Sequence, residues 1–523
     1  MPRSKKSKDS FKRDEKGRAI LGSAKEMAEW VKLGFKEQDG RKDPDIPFKQ
    51  HYIDLSNCVL FISYPVGSKE SASEIFNLCD MADVVPGIEK IEGDPNYLYE
   101  VKYDLHLDGS ELYGNFFHYV KFDGIVRMDN VTVRSNFSCF KCLFLEYAYM
   151  QHIRITGSPD FEQCEFRKGL VLTGAEAHLF QFNYSTIKER LSLSSVILDN
   201  KIHDGYHQSI EITNSTVENL KLSKVNTSGL PIYIGDSIIN GLHIDNLSLD
   251  STICFKDCSL DGVMTTVTDD EAQKNKIKEL MFHSCELDAQ YHIENTIFEK
   301  FAFNFSKIGD KGRLRLSQCD VKELTAGCSS VFGQMDVLEN SISVICLDGT
   351  CVQGYINCQG NKIDEYADRQ TLRLLKNEAL KVNDHVEATK LYAKEMESLL
   401  RDKNVRIGDK ASLWINKRFS KFGLSWGRAL WVTLLLSVAL TVLMLGFGST
   451  KYGFVPSGEF MGIGSFITAL LDSINVFSIP LFSDTIKEYG LNVFGQILYF
   501  LIKVVVAYGT YQFVVAFRKY GRN

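Results

Sequence analysis

The chain is poor in the features that mark secreted or nucleic-acid-binding proteins. Its formal net charge of -6 over 523 residues shows no global bias toward nucleic acid, so no nucleic-acid partner is expected. Thirteen cysteines are an odd number in a chain too long to need a disulfide framework, which predicts reduced thiols and a cytoplasmic location. Residues 1–18 are basic but no apolar run follows them, so we expect no secretory signal peptide.

Recognisable catalytic and cofactor motifs are also missing. There is no Walker loop, dinucleotide fingerprint, kinase or hydrolase motif, and no pair of carboxylates in a recognisable frame. Cys139 and Cys142 have the spacing of half a zinc site, but no second ligand pair follows at a plausible distance. Packing in a core is the better interpretation of these two cysteines. The sequence therefore predicts no enzyme, no cofactor and no metal site.

Long apolar runs are confined to the last hundred residues. Residues 429–447 carry no charge and span about 28 Å as a helix, close to the thickness of a bilayer's hydrocarbon core. Residues 491–517 form a second apolar stretch, and residues 460–484 form a shorter one that Asp472, Asn475 and Pro480 make a poor spanning helix. This order predicts two transmembrane helices around a re-entrant pore loop. The alternative is two plain anchors joined by an interfacial linker.

The insert resembles the pore helix and filter of two-transmembrane P-loop cation channels, whose signature reads roughly Ser-x-x-x-Phe-Thr-Thr-x-Gly-Tyr-Gly-Asp. The residues that match in type and spacing are Ser473, Phe477, Ser478, Phe482 and Asp484. Leu481 and Ser483 replace the two filter glycines, which let carbonyls face the ion axis. The resemblance thus implies a homotetrameric pore that is not potassium-selective. The candidate filter-like loop comprises Ser473, Asn475, Phe477, Ser478, Pro480, Leu481, Phe482, Ser483 and Asp484, with Asp472 on the pore helix.

One face of the second span is the candidate pore lining. Gln496, Tyr499, Lys503, Ala507 and Thr510 follow one another in steps of three or four residues, which places them on one side of a helix. Lys503 lies near the middle of the span, where a charge requires water or a partner. Pore water would give a ring of lysines that disfavours cations. A structural ion pair with Asp472 is the other hypothesis.

A degenerate repeat runs through the middle of the chain. Its pattern is an apolar residue, two polar or small residues, a Ser, Cys or Thr, one variable residue and another apolar residue. The small residue lies at Cys142, Cys164, Ser185, Ser215, Ser237, Cys258, Cys285, Thr296, Ser306, Cys319 and Ser341, with an early copy at Cys58. Steps near 20 residues, with some near 10, predict a right-handed β-helix that uses the pattern on more than one side, with the small residues pointing inward.

The alternation resembles the pentapeptide-repeat family, which implies a solenoid of stacked coils. Residues 374–397 also resemble the helical region that precedes the membrane part in membrane-bound pentapeptide-repeat proteins. Its matching features include Leu374-Leu375-Lys376, Asn383-Asp384, Ala388, Tyr392 and Glu395-Met396-Glu397. The resemblance implies a mixed fold in a bacterial inner-membrane protein: a right-handed, pentapeptide-repeat-like β-helix, a helical hairpin and an α-helical two-span module.

The predicted organisation has eight parts. They are a basic disordered tail at 1–20, an N-terminal helix with a mixed α/β cap at 21–120, the β-helix at 121–363, a helical hairpin at 364–403 that caps its open end, an interfacial basic and aromatic segment at 404–428, the first span at 429–447, the re-entrant loop at 460–484 and the second span at 491–517. Within the cap, residues 71–79 are expected to form a short helix. Basic residues flank both spans, which predicts both termini and the β-helix in the cytoplasm, with Lys487 near the outer face.

These observations favour an oligomeric ion channel or pore that a cytoplasmic β-helix gates. Its expected partners are the lipid bilayer, further copies of the chain, permeating ions and an unidentified ligand or protein on the β-helix. The alternative function is a non-conducting, membrane-anchored scaffold. The sequence determines neither the ion nor the gating signal.

Overall fold

The computed structural model describes residues 7–40, 52–60, 62–65, 72–113, 115–198, 209–261, 264–267, 274–452, 462–475 and 487–518. Contacts divide the chain into two units, Met1–Ala367 and Asp368–Asn523. The helices described are α1 (Ala24–Gly40), α2 (Arg369–Lys381), α3 (His385–Arg401), α4 (Ile407–Ser420), α5 (Trp426–Gly448), α6 (Ile463–Ile474) and α7 (Val493–Arg518), with 3-10 turns at Lys8–Ser10 and Leu78–Met81.

The first unit is a β-solenoid of about 11 turns with four strand-bearing sides. Side 1 stacks Ile62–Pro65, Ala72–Asn77, Asn115–His118, Phe137–Phe140, Pro159–Glu162, Phe180–Asn183, Ile210–Thr213, Ile232–Gly235, Ser248–Lys256, Asn275–His283, Thr296–Asn304, Asp320–Thr325, Ser341–Cys346 and Lys362–Tyr366. Side 2 stacks Ile88–Lys90, Tyr99–Val101, Val120–Phe122, Leu143–Phe144, Glu165–Phe166, Thr186–Ile187, Thr216–Val217, Ile238–Ile239, Ser259–Leu260, Glu286–Leu287, Lys307–Ile308, Ser330–Val331 and Cys351–Val352.

The other two sides complete the coil. Side 3 stacks Tyr52–Asp54, Asp104–His106, Val126–Arg127, Ala148–Gln151, Gly169–Thr173, Arg190–Ser194, Leu220–Ser223, Leu242–Asp245, Met264–Val267, Gln290–Glu294, Arg313–Ser317, Gln334–Leu338 and Tyr355–Asn357. Side 4 stacks Ala19–Leu21, Cys58–Leu60, Glu111–Leu112, Thr132–Val133, Arg154–Ile155, Glu176–Ala177 and Ile197–Leu198. The strands pair in parallel, except for two antiparallel pairs near the N-terminus, Ile62–Pro65 with Ala72–Asn77 and Ile88–Lys90 with Tyr99–Val101.

Most of the predicted small residues occupy one corner of the coil, between sides 1 and 2, whereas Cys58 begins a strand of side 4. The residue before each adopts a left-handed backbone, as at Lys141 (φ 51°), Gln163 (φ 55°) and Tyr184 (φ 53°), and this turns the chain from one side to the next. The small side chain that follows points into the narrow corner: Cys164 and Ser185 are 2% and 1% exposed. Inward orientation is thereby confirmed for this column, which runs from Cys142 to Ser306.

These corner residues also join one coil to the next. The backbone N–H of Cys164 donates to Ser185 Oγ at 3.1 Å, and the backbone N–H of Ser185 donates to Ser215 Oγ at 3.0 Å. Ser185 Oγ in turn donates to the carbonyl oxygen of Phe161 at 2.9 Å. The buried Ser185 hydroxyl therefore both accepts from and donates to the preceding coil, and it also lies 3.2 Å from the carbonyl oxygen of Asn183 on its own coil, so that it has the partners a buried polar group requires.

Thr296 and Cys319 form part of a second column, at the start of side 1. Both are buried, and the N–H of Cys319 donates to Asn340 Oδ1 at 2.8 Å. This confirms that the repeat pattern serves more than one side. The prediction for Ser341 is wrong, because Ser341 is exposed and Asn340 is the buried residue. The pattern places the small site one residue too late in this coil, where an amide replaces the hydroxyl.

The cysteines of the repeat are packing residues. Cys58, Cys142, Cys164, Cys258, Cys285 and Cys319 are free thiols buried in the solenoid. Cys139 is buried as well, and Cys142 Sγ donates to the carbonyl oxygen of Phe117 at 2.8 Å. Burial raises the pKa of the Cys58 thiol to about 12, so that this side chain stays neutral. Core packing is what the sequence favoured for Cys139 and Cys142.

The N-terminal part of the chain differs from its prediction. Parallel stacking starts at Ala19–Leu21, which pairs with Cys58–Leu60, so the coils include much of the segment expected to form a mixed cap. The prediction of a short helix within residues 71–79 is wrong, because residues 72–77 form a strand of side 1 that a 3-10 turn follows. Helix α1 is as expected, with Met27, Trp30 and Val31 buried. The strand of residues 72–77 pairs in parallel with Asn115–His118, a neighbour so distant in sequence that local pattern does not reveal it.

The second unit begins with the expected helical hairpin. Asp368 caps α2 by accepting from the N–H of Thr371 at 2.7 Å, and Asp384 caps α3 by accepting from the N–H of Glu387 at 2.9 Å. Asn383 has a left-handed backbone (φ 60°), which confirms the predicted break between the two helices. The side chain of Glu395, 3% exposed, accepts from Arg373 and Lys376 at 2.6 and 2.7 Å and so fastens α3 to α2.

Candidate functional site

The apolar hairpin, formed by α5 and α7, is the candidate site. The two helices have 23 and 26 residues and mean hydropathies of 2.3 and 1.7 over their most apolar windows. Both are long and apolar enough to cross a membrane, in agreement with the predicted spans. Their large apolar side chains mostly point outward, including Trp431 (62% exposed), Leu435 (63%) and Phe500 (61%). Such a surface suits lipid, and two spans of this kind indicate association with a membrane.

The two helices approach closely because glycine lies at their contacts. A Cβ on Gly448 or Gly495 would overlap the backbone of the other residue. A Cβ on Gly509 would overlap the side chain of Thr433. Small residues at a helix interface allow the backbones to come together, which is a common basis of packing in lipid. The helices run antiparallel, since the end of α5 meets the start of α7.

Polar side chains are buried within the hairpin. Ser437 and Thr441 of α5 are fully buried, and neither hydroxyl has a hydrogen-bond partner among the described residues. Gln512 of α7, 4% exposed, accepts a hydrogen bond from Ser420 Oγ at 2.8 Å. The Ser420–Gln512 hydrogen bond joins the C-terminal end of α4 to the apolar hairpin.

The insert helix, α6, packs against both spans. Ala469 belongs to a buried cluster that includes Met444 of α5 and Tyr499, Ile502 and Val506 of α7. Ser473 is buried and donates to the carbonyl oxygen of Ala469 at 2.7 Å. The helix has 12 residues, too few to cross a bilayer by itself.

Lys503 contacts the C-terminal end of the insert helix. Its Nζ donates to the backbone oxygens of Asp472 at 2.6 Å and Asn475 at 2.5 Å, and lies 5.1 Å from the ring centroid of Tyr499. Carbonyls at a helix C-terminus carry the negative end of the helix dipole, which attracts a cation. The structure thus adds a partner that neither sequence hypothesis for Lys503 includes, namely the backbone of the insert. The carboxylate of Asp472 accepts from the Tyr489 hydroxyl at 3.3 Å.

The predicted lining residues divide into two groups. Gln496, Tyr499 and Lys503 are buried or half-buried, and Tyr499 and Lys503 lie beside the insert helix. Ala507 and Thr510, further toward the end of α7, are exposed. This face of α7, which we call the stripe, is therefore covered over the half that contains Gln496, Tyr499 and Lys503, and exposed over the half that contains Ala507 and Thr510.

Most of the predicted filter-like loop lies outside the described residues. This applies to Phe477, Ser478, Pro480, Leu481, Phe482, Ser483 and Asp484. Asp472 and Ser473 lie in the last turn of α6, and Asn475 is its C-cap. The three residues thus lie at the C-terminal end of the insert helix.

The chain entering and leaving the insert is held together at the end of the hairpin. Ser449 and Leu491 form an antiparallel bridge, and the N–H of Thr450 donates to the carbonyl oxygen of Gly490 at 2.8 Å. Lys451 Nζ donates to the carbonyl oxygen of Glu488 at 3.1 Å. The insert therefore leaves from and returns to one end of the hairpin.

The other end of the hairpin carries aromatic and basic side chains. Trp426 packs edge-on against Phe513 at 6.0 Å, and Arg418 of α4 lies over the ring of Trp414 at 5.5 Å. Helix α4 also exposes Ile407 (86%) and Trp414 (56%). Aromatic and basic residues together are typical of the headgroup region of a bilayer, as the sequence of residues 404–428 predicts.

Sequence reasoning missed three contacts of this site. They are the glycine contacts of the hairpin, the Ser420–Gln512 hydrogen bond and the approach of Tyr489 to Asp472. Only the glycines left a signal in the sequence, since small residues interrupt otherwise bulky spans. No family model, no curated protein and no solved structure matches this chain.

Proposed function

We propose that the chain forms an oligomeric membrane pore, in which α5 and α7 span the bilayer and the insert enters it as a re-entrant segment. The observation that carries the proposal is the contact between Lys503 and the end of α6. Lys503 lies ten residues after Val493, or about 15 Å along the span. If α7 crosses a bilayer, the insert helix ends near mid-membrane depth, which is the position of a pore helix rather than of an interfacial linker.

The exposed half of the stripe supports an oligomer. Ala507 and Thr510 are open to the surroundings of a single chain, whereas apolar residues of α7 such as Phe500 and Val504 suit lipid. A module with two spans and one insert encloses a central path only when several copies assemble. We propose four copies, by resemblance to the two-transmembrane P-loop channels, and we do not propose potassium selectivity, because Leu481 and Ser483 stand at the glycine positions.

The solenoid is proposed as the sensing part of a membrane-bound pentapeptide-repeat-like protein of a bacterial inner membrane. A right-handed coil, with the solenoid and both termini in the cytoplasm, is part of this proposal, and the basic flanks of the spans support the orientation. A groove of about 600 Å³ near the end of side 4 is a candidate site for a ligand; its lining includes Lys224, Asn226, Ser228 and Asp250. The proposal assigns no catalytic step.

Recording from planar bilayers that contain the purified full-length chain tests this function. We expect unitary currents that vanish when Gly509→Leu prevents close packing of the hairpin, whereas Gly427→Leu, at a glycine with open space around it, retains them. A chain that inserts and assembles but carries no current, with any salt, would leave the membrane-anchored scaffold as the better function.

A further inference from the structure

The end of the insert helix has the chemistry of a cation site. Two backbone oxygens, from Asp472 and Asn475, converge on one position at 2.6 and 2.5 Å from an ammonium nitrogen. Clusters of backbone carbonyls replace the hydration shell of a monovalent cation in selectivity filters. The dipole of α6 adds negative potential at the same place.

The ammonium that occupies this position belongs to the protein. Lys503 Nζ reaches the carbonyls from the adjacent span, and the Tyr499 ring contributes a further attraction at 5.1 Å. A charge at mid-span is costly unless a partner compensates for it. The carbonyls and Lys503 therefore stabilise one another, and loss of the ammonium would remove one donor from each of the two helix-terminal oxygens.

We propose that the carbonyls of Asp472 and Asn475 form a monovalent-cation site, and that Lys503 fills it with a tethered ammonium which excludes inorganic cations from this end of the insert. The inference rests on the proposed function insofar as it makes Lys503 the residue that sets ion preference. Lys503 thus lowers cation permeation by occupying the site, rather than by forming a ring of free charges in water. The carboxylate of Asp472 increases the attraction of the site for a cation.

The test compares variants of the full-length chain in rubidium chloride and in N-methyl-D-glucamine chloride, whose cation is too large for a site of two carbonyls. Lys503→Met keeps most of the stem and removes the ammonium, and Lys503→Arg keeps a cation. Lys451→Met is the matched control, because Lys451 also donates to a backbone oxygen but lies at the exposed end of the hairpin. The readouts are the midpoint of thermal unfolding in detergent and rubidium uptake by liposomes.

We expect rubidium to raise the midpoint of Lys503→Met by roughly 2–4 °C, the shift that modest ligand stabilisation gives in a domain of the size of Asp368–Asn523. The wild type, Lys503→Arg and Lys451→Met should have equal midpoints in the two salts. Rubidium uptake should increase severalfold in Lys503→Met alone. Adding Asp472→Asn to Lys503→Met should reduce the effect of rubidium on the midpoint.

Two results would overturn the inference. One is a folded Lys503→Met whose midpoint does not respond to rubidium. The other is a Lys503→Met that is unfolded in both salts while Lys503→Arg is folded, because an inorganic cation then cannot replace the ammonium. Rubidium stabilisation of Lys503→Met without uptake by any variant would support the cation site and count against conduction, so the two proposals fail separately.

Discussion

At the scale of single residues, the solenoid depends on small polar side chains that satisfy the backbone at its corners. Ser185 and Ser215 accept from the coil before them and donate to carbonyls at the ends of side 1. The thiols of Cys142 and Cys164 take equivalent positions, with sulfur in place of oxygen. A polar group at such a site stabilises the coil only because its partners are present, since an unpaired buried hydroxyl is unfavourable.

Asp160 is a residue whose burial is only partly compensated. Burial raises the pKa of its carboxyl to about 6, and the nearby Glu162 and Glu211 contribute further. One oxygen is buried without a hydrogen-bond partner among the described residues. Since the folded pKa lies above the unfolded one, folding binds a proton between about pH 4 and pH 6. The ionised form therefore destabilises the solenoid above that range.

Asp160→Asn should accordingly raise the midpoint of thermal unfolding at pH 8, by roughly 1–3 °C, and have little effect at pH 4. Scanning calorimetry of the full-length chain at both pH values checks this. Asp257→Asn is the control, because Asp257 is exposed and its left-handed backbone accepts asparagine equally well. Equal midpoints for Asp160→Asn and the wild type at pH 8 would show that the carboxylate is adequately solvated.

At the scale of elements, close packing at glycines, rather than polar contacts, brings the two helices of the apolar hairpin together. Gly448 packs against Gly495, and Gly509 packs against Thr433. Lipid offers apolar side chains the same environment as a neighbouring helix, so that close approach and dispersion provide much of the attraction. The insert helix then rests on both spans through Ala469 and through Lys503 at its end.

Gly509→Ala should destabilise the hairpin by about 1–3 kcal/mol, because its methyl group would overlap Thr433. Loss of helical circular dichroism during titration with dodecyl sulfate measures this. Thr433→Ala should partly restore stability to Gly509→Ala, since it removes two of the three clashing atoms. Gly427→Ala has open space around its new methyl group and should be neutral or slightly stabilising. If Gly509→Ala and Gly427→Ala change the stability of the hairpin equally, the helices do not pack as described.

At the scale of the whole molecule, a large β-solenoid and an apolar helical unit share one chain. The two differ in how they satisfy the backbone: the solenoid pairs each coil with its neighbours, and the spans pair within themselves. A helix satisfies its backbone hydrogen bonds within itself, whereas a strand of the solenoid needs its neighbours. The helices therefore meet the requirement of a bilayer, whose hydrocarbon core offers no water to an unpaired backbone group. The apolar surface of the spans suits a bilayer, and a cytoplasmic solenoid remains part of the proposed function.

Cysteine labelling of intact cells tests this orientation on a cysteine-free background. A thiol introduced at Lys487 should react with an impermeant maleimide, because the end of the hairpin that bears the insert should face outward. A thiol at Asn404 should react only after the membrane is permeabilised. The reverse result would invert the topology, and reaction at both positions in intact cells would contradict the two-span arrangement.

The sequence by itself determined what depends on local pattern and composition. The small residues of the repeat, the two spans and the break at Asn383 are each visible as a periodicity, an apolar length or a turn residue, and the structure places them accordingly. Each coil needs a left-handed residue to turn the chain and a small buried residue to fill the corner. The repeat is therefore visible in the sequence even where single positions vary. The one-residue error at Ser341 arose where Asn340 performs the role of a hydroxyl with a longer side chain.

Only the tertiary structure decided what depends on residues far apart in the chain. The strand at Ala72–Asn77 exists because a coil of side 1 lies beside it, against the local helical pattern. Lys503 contacts backbone oxygens about thirty residues earlier, a partner that carries no sequence signal because every residue has a carbonyl. The filter-like residues from Phe477 to Asp484 lie outside the described part of the chain, and their role stays a prediction. Pattern reveals which side chains are inside, whereas the choice of a backbone partner is fixed only when the helices pack.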